Sequence, residues 1–243
     1  MGAFKKTDVA GLFYSDNPKE LEIQIFNFLK AEGPLEVPPQ IIVAPHAGYI
    51  YSGPIAGTAY KTLLDMKNRI ETVIVLSPAH RYHVKGIAIH SGDGFLTPFG
   101  PLKIDDSLRK YFLKTYKEIQ ILDQAFDMEH GLEVQLPFIW QVFGPKVKII
   151  PLVVWNIDFG FVSSLFDDFI SLSGDRFYGE DKSVLTGFAK FKGTSVLVIG
   201  QEKGEDLDTR IERNFGMMRP EGYRKTIRLM NLANKFNIPI ISF

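Results

Sequence analysis

The sequence predicts an α/β protein built on a mostly parallel sheet. Short apolar runs typical of buried strands occur at 41–43, 71–76 and 148–154. Segments with helical periodicity separate these runs, so that strands and helices alternate. A turn containing proline and histidine follows each of the first two runs. Because ligands bind at the carboxyl ends of the strands in open α/β sheets, this edge is the predicted site.

Composition narrows the class of protein. The chain has 243 residues, which suits one large or two modest domains. Its 28 Lys and Arg balance 28 Asp and Glu, which argues against nucleic-acid and membrane partners. The absence of cysteine excludes disulfides and thiolate metal sites. The sequence lacks an apolar run of membrane-spanning length and a secretory signal, so we expect a cytoplasmic enzyme or binding protein.

The first histidine turn lies at 44–53 and reads Ala-Pro-His-Ala-Gly-Tyr-Ile-Tyr-Ser-Gly. The apolar run 41–43 precedes it. A helical pattern follows from Pro54, and Ser52 is the predicted N-cap of that helix. His46 is therefore expected to lie between the end of a buried strand and the start of a helix.

The second histidine turn repeats this arrangement. The run 71–76 is followed by Ser-Pro-Ala-His, which ends at His80. Two such parallel strands would bring His46 and His80 to one edge of the sheet, where neutral imidazoles could bind a metal ion. The alternative is that each histidine only satisfies backbone groups in a tight turn. The convergence of two histidines favours a shared metal site.

An acidic turn with one histidine is the next candidate group. It contains Asp127, Glu129, His130 and Glu133. His130 and Glu133 are spaced to share one helical face, where they could orient a ligand or transfer a proton to a substrate. A solvated first turn stabilised by the helix dipole remains an equal alternative. Tyr49 could donate a hydrogen bond in the pocket, or could simply pack.

Caps, turns and periodicity predict the other elements. Ser15-Asp16-Asn17-Pro18 and Asp105-Asp106-Ser107 are typical of helix starts, and Pro220 with Glu221 suits a first helical turn, so helices are predicted to begin at these points. The remaining predictions are strands at 86–90, 184–191, 195–199 and 238–243, a hairpin at 95–102, a helix at 161–170 and a polar loop at 200–218.

Four motifs up to about residue 155 resemble the Memo family, also called protein B of the AmmeMemoRadiSam system. The first is Pro-His-Ala-Gly-Tyr-x-Tyr-Ser-Gly at 45–53, and the second is Leu-Ser-Pro-Ala-His at 76–80. Thr-Pro-Phe-Gly at 97–100 and Glu-His-Gly-Leu-Glu-Val-Gln-Leu-Pro-Phe at 129–138 follow in the same order. This resemblance implies a fold like that of the extradiol non-heme iron dioxygenases.

The Memo resemblance also implies a redox metal, iron or copper, and a small-molecule substrate. By this resemblance His46 and His80 are metal ligands. His130, Glu133 and Tyr49 would be the catalytic residues of the same pocket. The family also has a later histidine segment and a late ligand, often a cysteine, whereas this chain has no histidine after His130 and no cysteine.

From about residue 157 the sequence is similar to a different family. Its motifs occur in order at 165–169, 174–177, 198–204, 213–217 and 219–225. Together they resemble the carboxyltransferase alpha subunit of acetyl-CoA carboxylase. The resemblance implies a crotonase-like fold and a carboxyltransferase beta subunit as partner. Acetyl-CoA and carboxybiotin would be its cofactors if this part is functional.

The sequence therefore predicts two partial α/β units. Residues 1–156 would form a Memo-like domain with an extradiol-dioxygenase-like parallel sheet that lacks its C-terminal part. Residues 157–243 would form a partial crotonase-like unit that ends before the glycine-rich catalytic loop. The leading interpretation is a metal-binding, dioxygenase-related protein fused to this segment. The alternatives are a carboxyltransferase alpha fragment active in carboxyl transfer for fatty acid biosynthesis, or a non-functional chimeric gene product.

Overall fold

The computed structural model describes residues 4–30, 39, 41–155, 166–191, 193–204 and 206–242. The chain divides into two units, Met1–Ile157 and Asp158–Phe243. The boundary predicted from the sequence is at residue 156. Among the described helices, none combines the length and apolar character needed to cross a membrane.

The described residues of the first unit form a seven-stranded sheet and five α-helices. Its strands are Phe4–Lys5 (β1), Thr72–Pro78 (β2), Gly86–Ile89 (β3), Gly94–Thr97 (β4), Gly100–Ile104 (β5), Ile119–Ile121 (β6) and Lys148–Trp155 (β7). Its helices are Pro18–Leu29 (α1), Tyr49–Lys61 (α2), Asp106–Thr115 (α3), His130–Glu133 (α4) and Leu136–Phe143 (α5). The strand order is β1-β4-β5-β7-β3-β6, and β2 pairs with the other edge of β7.

β7 is the central strand of this sheet. Ile149, Ile150 and Val153 are fully buried, as the apolar sequence predicted. One edge of β7 pairs in parallel with the whole of β2, and the other edge pairs with β5 and then with β3. The β1–β4, β2–β7, β3–β6 and β5–β7 pairs are parallel. The β3–β7 and β4–β5 pairs are antiparallel, so the described sheet is mixed but mostly parallel, as the sequence predicted. The hairpin prediction at 95–102 is confirmed by β4 and β5.

The predicted buried strand at 41–43 is wrong. These described residues belong to no strand, and the side chains of Ile41 and Val43 are 75% and 73% exposed. Ile42 and Ala44 pack against the core. Exposed and packed side chains therefore alternate as they do in a strand, although the segment pairs with no strand. Because a buried strand needs paired backbone N–H and C=O groups, the apolar pattern alone could not establish one here.

The start of α2 also differs from the prediction. The helix begins at Tyr49 with Gly48 as N-cap, whereas Ser52 was the predicted cap. The Tyr49 N–H donates to the Phe13 carbonyl at 2.7 Å, which fixes the chain in helical conformation one turn earlier. Pro54 therefore lies inside the helix. The predicted helix starts at 15–18 and 105–107 are confirmed, and the N-caps there are Asn17 and Asp105, whose side chains accept backbone hydrogen bonds from their helices.

Where the structure describes the second unit, it forms a four-stranded sheet in the order β11-β10-β9-β8. Its elements are Asp167–Ser171 (β8), Val184–Phe191 (β9), Thr194–Gln201 (β10), Leu207–Glu212 (α6), Pro220–Lys235 (α7) and Ile240–Ser242 (β11). The pairs β8–β9 and β9–β10 are antiparallel, and β10–β11 is parallel. Leu229 and Ala233 of α7 pack against buried residues of β9 and β10.

Two predictions in the second unit need correction. The predicted helix 161–170 lies partly outside the described residues, and from Asp167 the chain forms β8 because it pairs with β9. The predicted polar loop 200–218 contains α6. A capping box explains this helix: the Asp206 side chain accepts from the Thr209 N–H, and the Thr209 side chain accepts from the Asp206 N–H.

Asp175 fixes a loop of the second unit to α7. Its Oδ1 accepts the N–H groups of Phe177, Tyr178 and Gly179 at 2.7–2.9 Å. Its Oδ2 accepts from Arg224 Nε at 2.8 Å. Burial alone would raise the pKa of Asp175, but these donors outweigh burial and hold that pKa well below its ordinary value.

The variant Asp175→Asn should unfold at a lower temperature than the parent at neutral pH. Since the folded-state pKa lies below the ordinary 3.8, the carboxylate stabilises the fold fully above that value and loses this contribution as the pH falls through the folded-state pKa. The difference between variant and parent should therefore shrink below about pH 4. The difference in unfolding midpoint is measured by thermal unfolding monitored with circular dichroism, and Asp167→Asn is the exposed control. Equal midpoints at neutral pH would contradict this role.

Candidate metal centre

Three histidines lie together in the first unit. Each of His46, His80 and His130 offers a ring nitrogen, and these nitrogens lie within 4.8 Å of one another. The ring centroids are 4.3 Å apart for His80 and His130, 5.1 Å for His46 and His80, and 6.0 Å for His46 and His130. The structure thus brings together the two predicted ligands and one of the predicted catalytic residues.

The segment that carries His46 is held by side chains on both sides. Gln135 Nε2 donates to the carbonyl of Pro45 at 3.1 Å. Ser52 Oγ donates to the carbonyl of Ala47 at 2.8 Å. Although this segment forms no strand, these two bonds fix the backbone immediately before and after the histidine.

His80 stands just beyond the end of β2 and is fixed by a carboxylate. The ladder continues past the strand, since the Ala79 N–H donates to the carbonyl of Val154 at 2.8 Å. Glu129 then accepts the His80 backbone N–H at Oε2, at 2.6 Å. The Nδ1 of His80 lies 2.7 Å from Glu129 Oε1. Both the backbone and the ring of His80 are therefore attached to one side chain.

Glu129 is ionised in this environment. Its side chain is 1% exposed, and burial alone would raise its pKa. Hydrogen bonds from the His80 ring, the His80 N–H and the Gly131 N–H outweigh burial, and the pKa lies below its ordinary value. Glu129 also caps α4 through the Gly131 N–H, at 2.8 Å. The start of α4 and the end of β2 therefore share one carboxylate.

His130 is the first residue of α4, and its ring packs on Phe13 with centroids 4.8 Å apart. Burial, followed by the neighbouring His80, lowers the pKa of His130 below its ordinary 6.5. Burial, followed by His80 and His130, lowers the pKa of His46 in the same way. These two rings are therefore neutral near pH 7, which is the form that binds metal ions.

The polar atom of Tyr49 is already engaged. The side chain is 2% exposed, and its hydroxyl donates to the carbonyl of Val134 at 2.7 Å. Burial raises the pKa of Tyr49 well above its ordinary value. The hydroxyl thus links α2 to the end of α4, and the predicted catalytic role of Tyr49 stays a prediction.

Both carboxylate oxygens of Glu133 are engaged by the N-terminal segment. Oε2 accepts the Asp8 N–H at 2.7 Å. Oε1 accepts the Val9 N–H at 3.0 Å and the Tyr14 hydroxyl at 2.7 Å. Burial and the Glu133 charge raise the pKa of Tyr14, so this phenol remains a donor. The catalytic role predicted for Glu133 also stays a prediction.

A small cavity of about 100 Å³ adjoins His46. Tyr60, Ser77, Gly131 and Gln135 contribute to its lining, together with apolar residues of β2 and of the segment before His46. Space beside an imidazole cluster could admit part of a small ligand.

The role of Glu129 at His80 could not be found from the sequence. The two residues are 49 positions apart in the chain, and no spacing rule connects them. His90, by contrast, lies outside the cluster: its Nδ1 accepts the Gly92 N–H at 2.9 Å, and its ring packs on Phe95 and Phe126. A histidine count alone therefore does not identify the cluster.

Two family models match the chain. The model described as Memo-like protein matches residues 5–168. The model described as acetyl co-enzyme A carboxylase carboxyltransferase-like matches residues 156–243. The two matches overlap at 156–168, where the first unit passes into the second.

Curated relatives match the C-terminal part and are named acetyl-coenzyme A carboxylase carboxyl transferase subunit alpha. The protein of Pelagibacter ubique is 82% identical over 83 residues, which are 34% of this chain and 23% of the relative. The proteins of a Chelativorans species and of Xanthobacter autotrophicus are 57% and 56% identical over 82 residues, again 34% of this chain and 26% of each relative. The chain thus spans about a quarter of the length of these relatives.

Gly131 should be intolerant of a side chain. A Cβ there would lie 2.6 Å from Ser77 Oγ, 3.0 Å from Glu129 Oε1 and 3.2 Å from His80 Cε1. We expect Gly131→Ala to displace the His80 ring and to lower the free energy of unfolding by about 1–3 kcal/mol, as overpacking does.

The measurement for Gly131→Ala is denaturant unfolding together with the NMR shifts of the histidine rings. Gly200→Ala, in β10, is the control, because a Cβ there would meet no atom within 4 Å. Unchanged stability and unchanged His80 shifts in Gly131→Ala would show that the cluster is loosely packed.

Proposed function

Because the chain belongs to the Memo-like protein family over residues 5–168, we propose that its first unit is a metal-binding protein related to the dioxygenases. In this proposal His46, His80 and His130 hold a divalent redox metal, iron or copper. The observation that carries the proposal is the approach of three ring nitrogens to within 4.8 Å. Imidazole is a ligand that suits both metals.

The donor set fits such a metal. The lowered pKa values of His46 and His130 keep both rings neutral near pH 7, so no proton has to leave before they bind a cation. Glu129 adds negative charge beside His80, which favours a cation in the cluster. When bound, the metal would supply redox and Lewis-acid chemistry toward a small-molecule substrate.

His130 is proposed here as a ligand, whereas the sequence suggested a catalytic role. Its ring is 4.3 Å from that of His80, centroid to centroid, which is close enough for both to bind one ion. A nitrogen that donates its lone pair to a metal cannot use the same pair as a base. The two roles of this nitrogen are therefore distinguishable by measuring metal affinity.

Glu133 and Tyr49 are proposed to hold the framework of the site. Glu133 attaches the N-terminal segment to α4 through Val9 and Tyr14, and Tyr49 attaches α2 to Val134. Their engaged oxygens support this role over proton transfer to a substrate. They would act by keeping the histidine-bearing turns together.

A second candidate function concerns residues 156–243. The 82% identity to the Pelagibacter ubique carboxyl transferase subunit alpha favours it. We propose that this segment retains part of the surface that contacts a carboxyltransferase beta subunit, and that its chemistry would involve acetyl-CoA and carboxybiotin. A crotonase-like fold for this segment remains part of the same proposal, as does the origin of the chain as a chimera of two families.

Metal binding is tested by titrating the purified metal-free chain with Fe²⁺ under anaerobic conditions and, separately, with Cu²⁺. We expect one equivalent to bind. His46→Ala, His80→Ala and His130→Ala should each weaken affinity by at least about tenfold, since disturbing even an outer-sphere partner has that effect. His83→Ala, at an exposed histidine outside the cluster, should bind like the parent.

Two results of this titration would count against the proposal. Absence of stoichiometric metal in the parent would remove the metal site altogether. Unchanged affinity in His130→Ala alone would return His130 to the catalytic role suggested by the sequence.

Partner binding is tested by co-purification of the full chain with a carboxyltransferase beta subunit from Pelagibacter ubique. We expect a complex that forms equally well with His46→Ala, because that residue belongs to the other unit. Calorimetric titration with acetyl-CoA is the second measurement. Failure of both, with metal bound, would leave only the first candidate function. Failure of both without metal would support the non-functional chimera.

A further inference from the structure

We propose that Glu129 is a positioning residue that fixes the tautomer and the orientation of His80, so that His80 presents Nε2 to the histidine cluster. This inference rests on the proposed metal site for its functional meaning. The contacts that support it belong to the protein alone.

The first step concerns the proton on the His80 ring. Both oxygens of Glu129 already accept a backbone N–H, from Gly131 at Oε1 and from His80 at Oε2. Because the carboxyl group acts as an acceptor at both atoms, the 2.7 Å contact requires that Nδ1 of His80 carries the hydrogen. In a neutral ring with hydrogen on Nδ1, the lone pair lies on Nε2. Glu129 thus decides which nitrogen of His80 is available to a metal.

The second step concerns what holds Glu129 itself. Its side chain is 1% exposed, and Oε1 also accepts the Gly131 N–H at 2.8 Å. Oε2 accepts the His80 N–H at 2.6 Å, so the carboxylate cannot rotate without breaking a backbone bond. The ring of His80 is therefore oriented by a group that is itself held by two backbone N–H groups.

The third step is that this carboxylate sets the distance between two members of the cluster. Glu129 directly precedes His130 and caps the helix that His130 begins. By binding the His80 backbone it also fixes the turn after β2 relative to that helix start. If Glu129 served only as a helix N-cap, the Gly131 contact would suffice. Both tautomers of the His80 ring would then remain accessible.

The variant Glu129→Gln separates these roles, because the amide keeps the size of the carboxylate. In one orientation its NH₂ group faces the donor N–H of His80. In the other orientation NH₂ faces Nδ1 of the ring, which favours hydrogen on Nε2 instead. Neither orientation satisfies all three contacts.

The experiment uses the full chain labelled with ¹⁵N and freed of metal. Long-range ¹H–¹⁵N correlation spectra give the tautomer of each histidine. We expect His80 to carry hydrogen on Nδ1 in the parent and partly on Nε2 in Glu129→Gln, because one of the two amide orientations places NH₂ against Nδ1. Titration with Fe²⁺ should then show affinity lower by about 10–100-fold in the variant.

The matched control is Asp123→Asn. Asp123 accepts the N–H of Ser91 at 2.7 Å and lies 3.9 Å from Nδ1 of His90, which is outside the cluster. This variant also replaces a carboxylate near a histidine, so it should leave the His80 tautomer and the Fe²⁺ affinity unchanged.

Hydrogen on Nε2 and none on Nδ1 of His80 in the metal-free parent would overturn the inference, and this measurement needs no variant to fold. An unchanged tautomer with unchanged affinity in Glu129→Gln would overturn it as well. A parent that shows hydrogen on Nδ1 but binds neither Fe²⁺ nor Cu²⁺ supports the positioning by Glu129 and overturns the proposed metal function.

Discussion

The parallel ladder between β2 and β7 is the constraint on which the first unit depends. It runs from Thr72 opposite Lys148 to Pro78 opposite Val154, and one further hydrogen bond extends it to Ala79. β7 is fully buried at its centre, so a shift in register would move apolar side chains to the wrong face. The position of His80 is therefore set by a ladder whose register the core enforces.

The histidine cluster is built from three separate parts of the chain that meet at the end of this ladder. The turn before α2 contributes His46, the turn after β2 contributes His80, and the start of α4 contributes His130. Side chains rather than strand pairing hold the first and third parts. Gln135 binds the carbonyl next to His46, and Glu129 caps the helix that begins at His130. The cluster thus combines one rigid element with two that depend on buried polar contacts.

The sequence predicted the elements whose signals are local. The strands β2 and β7, the hairpin and the caps at Asn17 and Asp105 follow from apolar runs and capping residues, and the structure contains them. The proximity of His46 and His80 was predicted from two strand ends, but only His80 follows a strand, because residues 41–43 form none. The sequence could not predict that 41–43 lacks a pairing strand, because an apolar run specifies burial but not a partner.

The sequence also could not predict contacts between residues that are far apart in the chain. Glu133 looked like a pocket residue by helical spacing, yet its oxygens bind Asp8, Val9 and Tyr14. Similarly, the residues of β8 were predicted to be helical, because the local sequence pattern does not show that this segment pairs with β9. The Memo match extends to residue 168, while Asp167 already belongs to the sheet of the second unit. Each unit has its own buried core. The two family matches therefore correspond to two units that each pack their own apolar residues.

The double attachment of His80 to Glu129 has a consequence for conformational entropy. A histidine that rotates freely must lose that freedom when it captures a ligand, and the loss weakens binding. Here the rotamer freedom of His80 is lost when the chain folds. Its ring is therefore preorganised, and a ligand of the cluster binds a side chain whose rotamer is already fixed.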